Sequence, residues 1–463
     1  YPAKVVAPVY TQHPDNLFTL LSRSHDLKVL ESVTQLCPPE LCETTTGTSR
    51  RDTGFGVLAK DTAKTWARIA LPYDMEQDLY AQFVEETGSQ AAPKPGKVKN
   101  SFLDPGSMNQ PSRFREFVDS FEATERPGFY FLHMLLPHTP WRYLPSGMQY
   151  DYPHKFFGRG GPQMREWARE PWPVTLSQQR HLLQLAFTDR LIGEMVERLK
   201  KVGLYDEALV VVTADHGVSF TPGHPVRIPA NGSAHETAWV PLFVKAPHQT
   251  EGRVDDRNWE HVDLVPTVAD MLGIKVPWRV DGVSALGSKA RTGTGKAFYD
   301  RPGHRMPLLD GPSNLALALR GVTDRLLRPQ DGYLGWFKFG PHADLVGKRV
   351  ADLPVAAGGG TARVSGLAEY RQVDPDSGQV PAWVAGQLTS TAQGVAERPV
   401  VVAAINGVVG GVSKTFSSAG SDPTWFSAMV PDSLMRRGDN HLQLFLVDNG
   451  GGQLRLRPLT LTG

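Results

Sequence analysis

The chain has 463 residues, 40% hydrophobic and 21% charged, which suits a globular protein of two or three domains rather than a disordered one. Lys and Arg number 49 against 48 Asp and Glu, a formal net charge of +1, which removes the basic footprint of a dedicated nucleic-acid binder and gives no reason to expect a polybasic membrane anchor. The longest apolar runs, such as Phe129–Leu136 and Leu209–Val212, fall well short of the roughly 20 residues that a bilayer span needs.

Taken in chain order, Asn16–Ser22 has the spacing of a short amphipathic helix and Leu27–Leu30 that of a strand. Residues 47–99 are polar, with a predicted helix at Lys60–Ile69 and a Pro/Lys linker at Ala92–Lys99. The 3–4 spacing of Phe114–Phe121 predicts a helix. Phe129–Leu136, a continuous apolar run stopped by Pro137, reads as a buried strand of a parallel sheet. A long helix is expected over Ser177–Lys201, ended by Gly203. Leu209–Thr213 and Pro241–Lys245 are two more buried strands, and Val262–Leu272 is a helix stopped by Gly273. Strands alternating with helices argue for an α/β fold over residues 1–290, with a mostly parallel sheet flanked by helices.

The texture then changes. Residues 291–361 read as a helical and linker connection, with a helical stretch at Leu315–Leu327 and a hinge-like Gly358-Gly-Gly360. Over residues 362–463, strand-like runs at Arg363–Tyr370, Val400–Ile405, Trp425–Val430 and His441–Val447 are separated by turn residues. That pattern predicts an antiparallel β-sandwich-like domain.

Cys37 and Cys42 are the two cysteines, too few for a zinc site by themselves. Their spacing across a Pro-rich loop favours a local disulfide over two free thiols, and so an extracytoplasmic setting. The chain opens at Tyr1 without an initiator Met, and reads as a processed or truncated piece of something longer.

Thr213-Ala-Asp-His-Gly217 directly follows a buried strand, and in open α/β sheets ligands sit at the carboxyl ends of strands. Asp215 and His216 offer an oxygen and a nitrogen to a divalent cation. Gly217 permits a sharp turn beside them. The alternative is a polar turn that merely caps the strand. Pro137-His-Thr-Pro-Trp141 ends the earlier strand in the same way. His138 there would bind an anionic oxygen or protonate a leaving group, and a satisfied loop histidine is its alternative.

Together with Asp189-Arg-Leu-Ile-Gly193, Pro241–Pro247 and Val262–Thr267, in this order, these motifs resemble the sulfatase-like pattern of the alkaline phosphatase superfamily over about residues 12–286. The flavour is similar to that of the membrane-anchored sulfatase-like proteins of actinobacteria, distantly similar to lipoteichoic acid synthase. The resemblance implies an alkaline-phosphatase-like sheet, with Asp215 and His216 as ligands of one divalent metal ion (Mn, Mg, Ca or Zn). His138 would bind the substrate oxyanion, and His224, His235 and Glu236, in the loop after the metal turn, would line the pocket, with a plain surface loop as their alternative. Asp189 and Asp263 would have structural roles.

The family's acidic metal ligand and its nucleophile have no counterpart before Tyr10, so a Thr or Ser nucleophile is expected upstream of this chain. Cys37-Pro-Pro-Glu-Leu41 has Leu41 where the formylglycine box has Arg, and is rejected as such a box. Asp300 and His304 have ligand spacing but follow the Asp-His-Gly turn instead of preceding it.

The expected function is a metal-dependent hydrolase or transferase acting on phosphate or sulfate esters of envelope lipids or glycans. The parent protein would be extracytoplasmic and anchored to the membrane through a segment outside this chain. The rival is a catalytically inactive sulfatase-like scaffold or glycan-binding protein. For it, Trp383, Trp425 and Phe426 would stack on sugars, although core packing is the commoner use of such residues.

Overall fold

The computed structural model describes residues 8–32, 34–44, 110–151, 159–160, 166–229, 233–293, 295–299, 305–307, 329–392, 396–417 and 423–463. The expected helices at 60–69 and 315–327, the linker at 92–99 and the Asp300/His304 pair lie outside them. In chain order the elements begin with α1 (Leu17–Leu21), β1 (Asp26–Glu31), β2 (Glu43–Thr44), α2 (Gln110–Asp119), β3 (Gly128–His133), β4 (Arg159–Gly160) and β5 (Glu166–Trp167). There follow α3 (Pro171–Lys201), β6 (Val210–Thr213), α4 (Ala234–Ala238), β7 (Leu242–Lys245), α5 (Leu264–Met271), β8 (Ala297–Tyr299) and β9 (Arg305–Pro307). The chain ends in seven strands: β10 (Gly360–Val364), β11 (Trp383–Thr391), β12 (Val400–Ile405), β13 (Val408–Lys414), β14 (Trp425–Met429), β15 (Leu442–Asp448) and β16 (Arg455–Thr462). Among the described residues no helix is long and apolar enough to cross a membrane.

These elements form two compact units, one of Tyr1–Leu136, Leu191–Asp215 and Val240–Gly311, the other of Pro137–Arg190, His216–Trp239 and Pro312–Gly463. In the first unit β1 is the central strand of a three-stranded parallel sheet, ordered β2-β1-β3. The pleat sends Leu27, Val29, Phe129 and Phe131 to one face, where they pack with Phe18 of α1 and with Cys37 and Cys42. Tyr130 points the other way and meets Phe117 and Phe121 edge-on. Cys37 and Cys42 are joined in a disulfide. The carboxylate of Glu31, at the carboxyl end of β1, accepts from the N–H groups of Leu36 and Cys37, each at 3.0 Å, and so ties the disulfide loop to the sheet.

The expected strands at 209–213 and 241–245 form here, but they are not parallel members of that sheet. β6 and β7 pair with each other antiparallel, in register from Val210↔Lys245 to Thr213↔Leu242. A short apolar run carries no information on the direction of its partner.

In the second unit seven strands form one sheet in the order β13-β12-β15-β16-β10-β11-β14. All neighbours are antiparallel except β10 and β16. The two ends of the sheet approach each other, since Ser427 N–H of β14 donates to Ser413 Oγ of β13 at 3.2 Å. The result is a near-barrel instead of the expected two-sheet sandwich. Val401, Ala403, Ile405, Val384, Phe426 and Leu444 fill its interior. The alternate residues Val402, Ala404, Trp383, Met429 and Phe445 face outward, but they too are buried, against Leu176 and Leu183 of α3 and against Leu144, Tyr150 and Phe337. Helix and loop cover the face that a second sheet would cover in a sandwich. The strand expected at 363–370 stops at Val364. Gly366 turns the chain with φ 66° into a 3₁₀ segment at Leu367–Arg371.

Candidate functional site

Asp215 is an exposed residue two positions beyond β6, at the end of the first unit. His216 begins the next segment of the second unit, and both of its ring nitrogens are engaged. Nδ1 donates to the Gly217 carbonyl at 2.8 Å, which leaves Nε2 as an acceptor, and Nε2 takes a bond from the Arg227 guanidinium at 2.6 Å. Arg227 is exposed, and among the described residues no carboxylate pairs with it.

The loop that places Arg227 there is well tied. Gly217 N–H donates to Thr237 O at 2.8 Å and Ser219 N–H to Val226 O at 3.0 Å. A Cβ at position 217 would lie 2.1 Å from the Glu236 carbonyl oxygen, so the close approach requires glycine. The Glu236 carboxylate is bonded within the loop. Its Oε2 accepts from Ser219 Oγ, Phe220 N–H and Thr221 Oγ1, the last two at 3.1 and 2.9 Å, and so folds the loop over itself. His224 sits half-buried in the loop, with its carbonyl taking Trp167 N–H at 3.0 Å. His235 lies in α4, where its carbonyl accepts from Trp239 N–H.

His138 is exposed, and its Nδ1 donates to the Thr139 carbonyl at 2.5 Å, which fixes the tautomer and leaves Nε2 the basic nitrogen of the neutral ring. Its loop is joined to the Arg227 loop by an aromatic cluster. Trp141 stands 5.7 Å from His181 and 5.8 Å from Phe220, Phe220 stands 5.3 Å from His181, and Trp167 stacks on Phe220 at 5.4 Å. Trp141 Nε1 donates to Pro137 O at 3.2 Å, and the Trp167 indole N–H donates to Ser219 O. Burial pushes the His181 imidazole down from 6.5 to about 4, against the effect of the Pro137 carbonyl it faces. Among the residues expected at the site, His138, His216, His224, His235 and Glu236 thus share the second unit. His181, Gln184 and Arg227 carry much of the local geometry and had no motif to announce them.

Asp189 is exposed on α3. Asp263 is buried where a 3₁₀ turn enters α5 and accepts from Arg291 Nε at 2.8 Å, Val283 N–H at 2.8 Å and Glu260 N–H at 3.0 Å. Burial alone would raise its pKa, but Arg291 and the two backbone donors outweigh that and hold it below the usual carboxylate range. The structural role expected for it is the one its contacts give it.

The Nε2 of His216, one of the two donors expected to hold a metal, accepts from the Arg227 guanidinium. Among the described residues no group of three or more His, Cys, Asp or Glu side chains comes together.

Residues 75–274 match the sulfatase family. This chain carries a sulfatase-family domain. Over 162 residues it is 26% identical to an endo-4-O-sulfatase of Bacteroides thetaiotaomicron, covering 34% of the chain and 32% of that protein. It is 29% identical over 100 residues to the multifunctional alkaline phosphatase superfamily protein PehA of Trinickia caryophylli, covering 21% and 19%. It is also 25% identical over 207 residues to the human N-sulphoglucosamine sulphohydrolase, covering 40% and 39%. The domain is thereby related to the alkaline phosphatase superfamily, and the matches span well under half the length of these curated relatives.

Proposed function

We propose that this chain is a sulfatase-like binding protein for sulfate or phosphate esters on glycans, with His138 and Arg227 meeting the oxyanion. The observation that carries this reading is the Arg227–His216 contact. It sets the exposed Arg227 guanidinium against His216, one of the two residues that the sulfatase resemblance implies as metal ligands, and a guanidinium matches a sulfate or phosphate ester by charge and by its fork of donors. The names of two relatives, an endo-4-O-sulfatase and an N-sulphoglucosamine sulphohydrolase, support a sulfated glycan as the ligand class. The disulfide supports an extracytoplasmic placement, which would make envelope glycans the accessible ligands.

A second reading is a hydrolase or transferase of the same esters, using a divalent metal at Asp215 and His216. It is favoured by the sulfatase match, which contains both residues. The two readings separate in one experiment. Calorimetry with sulfated and unsulfated forms of one oligosaccharide should show binding of the sulfated form alone, weakened by salt and by His138→Ala or Arg227→Ala. Aryl sulfates and phosphodiesters with added Mn²⁺ should show no turnover. Metal-dependent turnover lost in Asp215→Ala would replace the first reading with the second, and equal affinity for the unsulfated form would refute the first outright.

A further inference from the structure

We propose that Gln184, in the middle of α3, is a positioning residue that holds the His138 loop in place through both ends of its side-chain amide. Gln184 is fully buried, at 0% exposure. Its Nε2 donates to the His138 carbonyl at 2.8 Å, while its Oε1 accepts from the N–H of Arg142 at 2.8 Å and of Tyr143 at 3.3 Å. The partners fix the amide's orientation, since a carbonyl can only accept and the two N–H groups can only donate. One side chain therefore spans the turn from 138 to 143 and satisfies backbone groups at both of its ends. Those groups would otherwise be poorly satisfied beneath the loop.

Its neighbours on α3 reinforce this. His181, one turn earlier, packs edge-on against Trp141 at 5.7 Å, and the Trp141 indole N–H donates to the Pro137 carbonyl at 3.2 Å. The main chain at His138, Arg142 and Tyr143 is thus pinned to a single helix, and the imidazole is presented from a fixed base. An oxyanion-binding group gains from such preorganisation, because the ligand then does not have to order the loop. The inference rests on the reading of His138 as the group that meets the ligand.

The test uses the full chain and two variants. In Gln184→Glu, which keeps the shape, an ionised carboxylate still accepts from Arg142 and Tyr143 but cannot donate to the His138 carbonyl. Once protonated, it can. Burial raises the carboxyl's pKa and brings that transition into the working range. Gln184→Ala removes both ends at every pH.

Three readouts apply: NMR signals of the His138 ring, hydrogen exchange at the Arg142 and Tyr143 amides, and affinity for a fully sulfated heparin hexasaccharide relative to wild type at the same pH. In Gln184→Glu at pH 8 the ring signals should shift and broaden while the two amides stay protected. Affinity should fall about tenfold, and the loss should shrink toward pH 5. In Gln184→Ala the amides should exchange faster, and the loss should be independent of pH. A helix that merely packs would show no pH-dependent recovery.

Ring signals and relative affinity unchanged in Gln184→Glu across the whole range would overturn the proposal, whether or not Gln184→Ala folds. If wild type does not bind the hexasaccharide, or His138→Ala binds as wild type does, the reading of His138 fails. The ring and exchange data then decide the positioning role without it.

Discussion

Replacing His181 by Phe should remove an acid sensitivity built into the aromatic cluster of the second unit. The His181 ring lies between Trp141 at 5.7 Å and Phe220 at 5.3 Å, and its Nδ1 is buried with no partner among the described residues. A proton there would be a charge held in apolar surroundings, and the imidazole is accordingly pushed down from 6.5 to about 4. The folded protein keeps this ring neutral down to about pH 4, whereas the unfolded chain takes up a proton below 6.5. Its contribution to stability is therefore complete above pH 6.5 and is lost as pH falls toward 4. The linkage relation gives a loss of about 2 kcal/mol between pH 7 and pH 5, and about 3 kcal/mol by pH 4. Urea unfolding followed by tryptophan fluorescence, which Trp141 and Trp167 report directly, should be run at pH 7, 6, 5 and 4 on wild type and His181→Phe. The variant's constant offset in packing cancels in the slopes. Wild type should lose about 2 kcal/mol more than the variant between pH 7 and pH 5. Parallel slopes would refute the argument and would mean that the ring is hydrated or finds a partner when charged.

Three other outcomes are expected. Gly217→Ala places a methyl 2.1 Å from the Glu236 carbonyl oxygen and should destabilise the second unit by about 1–3 kcal/mol, seen as a lower urea midpoint and faster exchange at Ser219. Reducing the Cys37–Cys42 bridge, or replacing both residues by Ser, should cost about 2 kcal/mol in the first unit, read by denaturation with and without reductant; non-reduced peptide mapping should find the pair two hydrogens lighter. Arg227→Ala frees His216 Nε2, so Mn²⁺ or Zn²⁺ should bind the variant more tightly than wild type in calorimetry and the gain should vanish in the Arg227→Ala/His216→Ala double variant. Equal affinities would show that the guanidinium does not compete for that nitrogen.

Local structure was legible wherever an element's period matched its burial. The long helix, the β3 run and β12 were found because apolar residues recur along them at helical or strand spacing, and the cysteine spacing anticipated the disulfide. What escaped was long-range. Val210–Thr213 and Leu242–Lys245 look alike whether their partner runs parallel or antiparallel; contacts outside the apolar run, Thr213 Oγ1 donating to Pro241 O at 2.8 Å and Lys245 Nζ to the Asp206 and Ala208 carbonyls at 2.7 and 3.1 Å, accompany the local pair. Strands β11, β13 and β16 went unread because Gly386, Gly410, Gly411 and Pro458 interrupt their apolar pattern. At the site, the motifs drew attention to His138 and to the Asp215–His216 turn. Gln184 and His181 carry no motif; their roles come from backbone groups that no side-chain pattern encodes. Glu236 Oε2 accepts from three neighbours fifteen to seventeen residues upstream, contacts that no side-chain pattern announces.

The near-barrel is wrapped on its outside as thoroughly as it is filled, and this bears on how the protein can be cut. A fragment starting at residue 362 would carry Trp383, Val402, Met429, Phe445 and Leu456 on one bare outer wall, without Leu176, Leu183, Leu144 or Phe337 to shield it. Such a wall is the kind of contiguous apolar surface that drives self-association. The seven strands are therefore no portable module that evolution or an engineer could move intact to another protein. They must travel with the first half of α3, and with it goes the loop that bears His138.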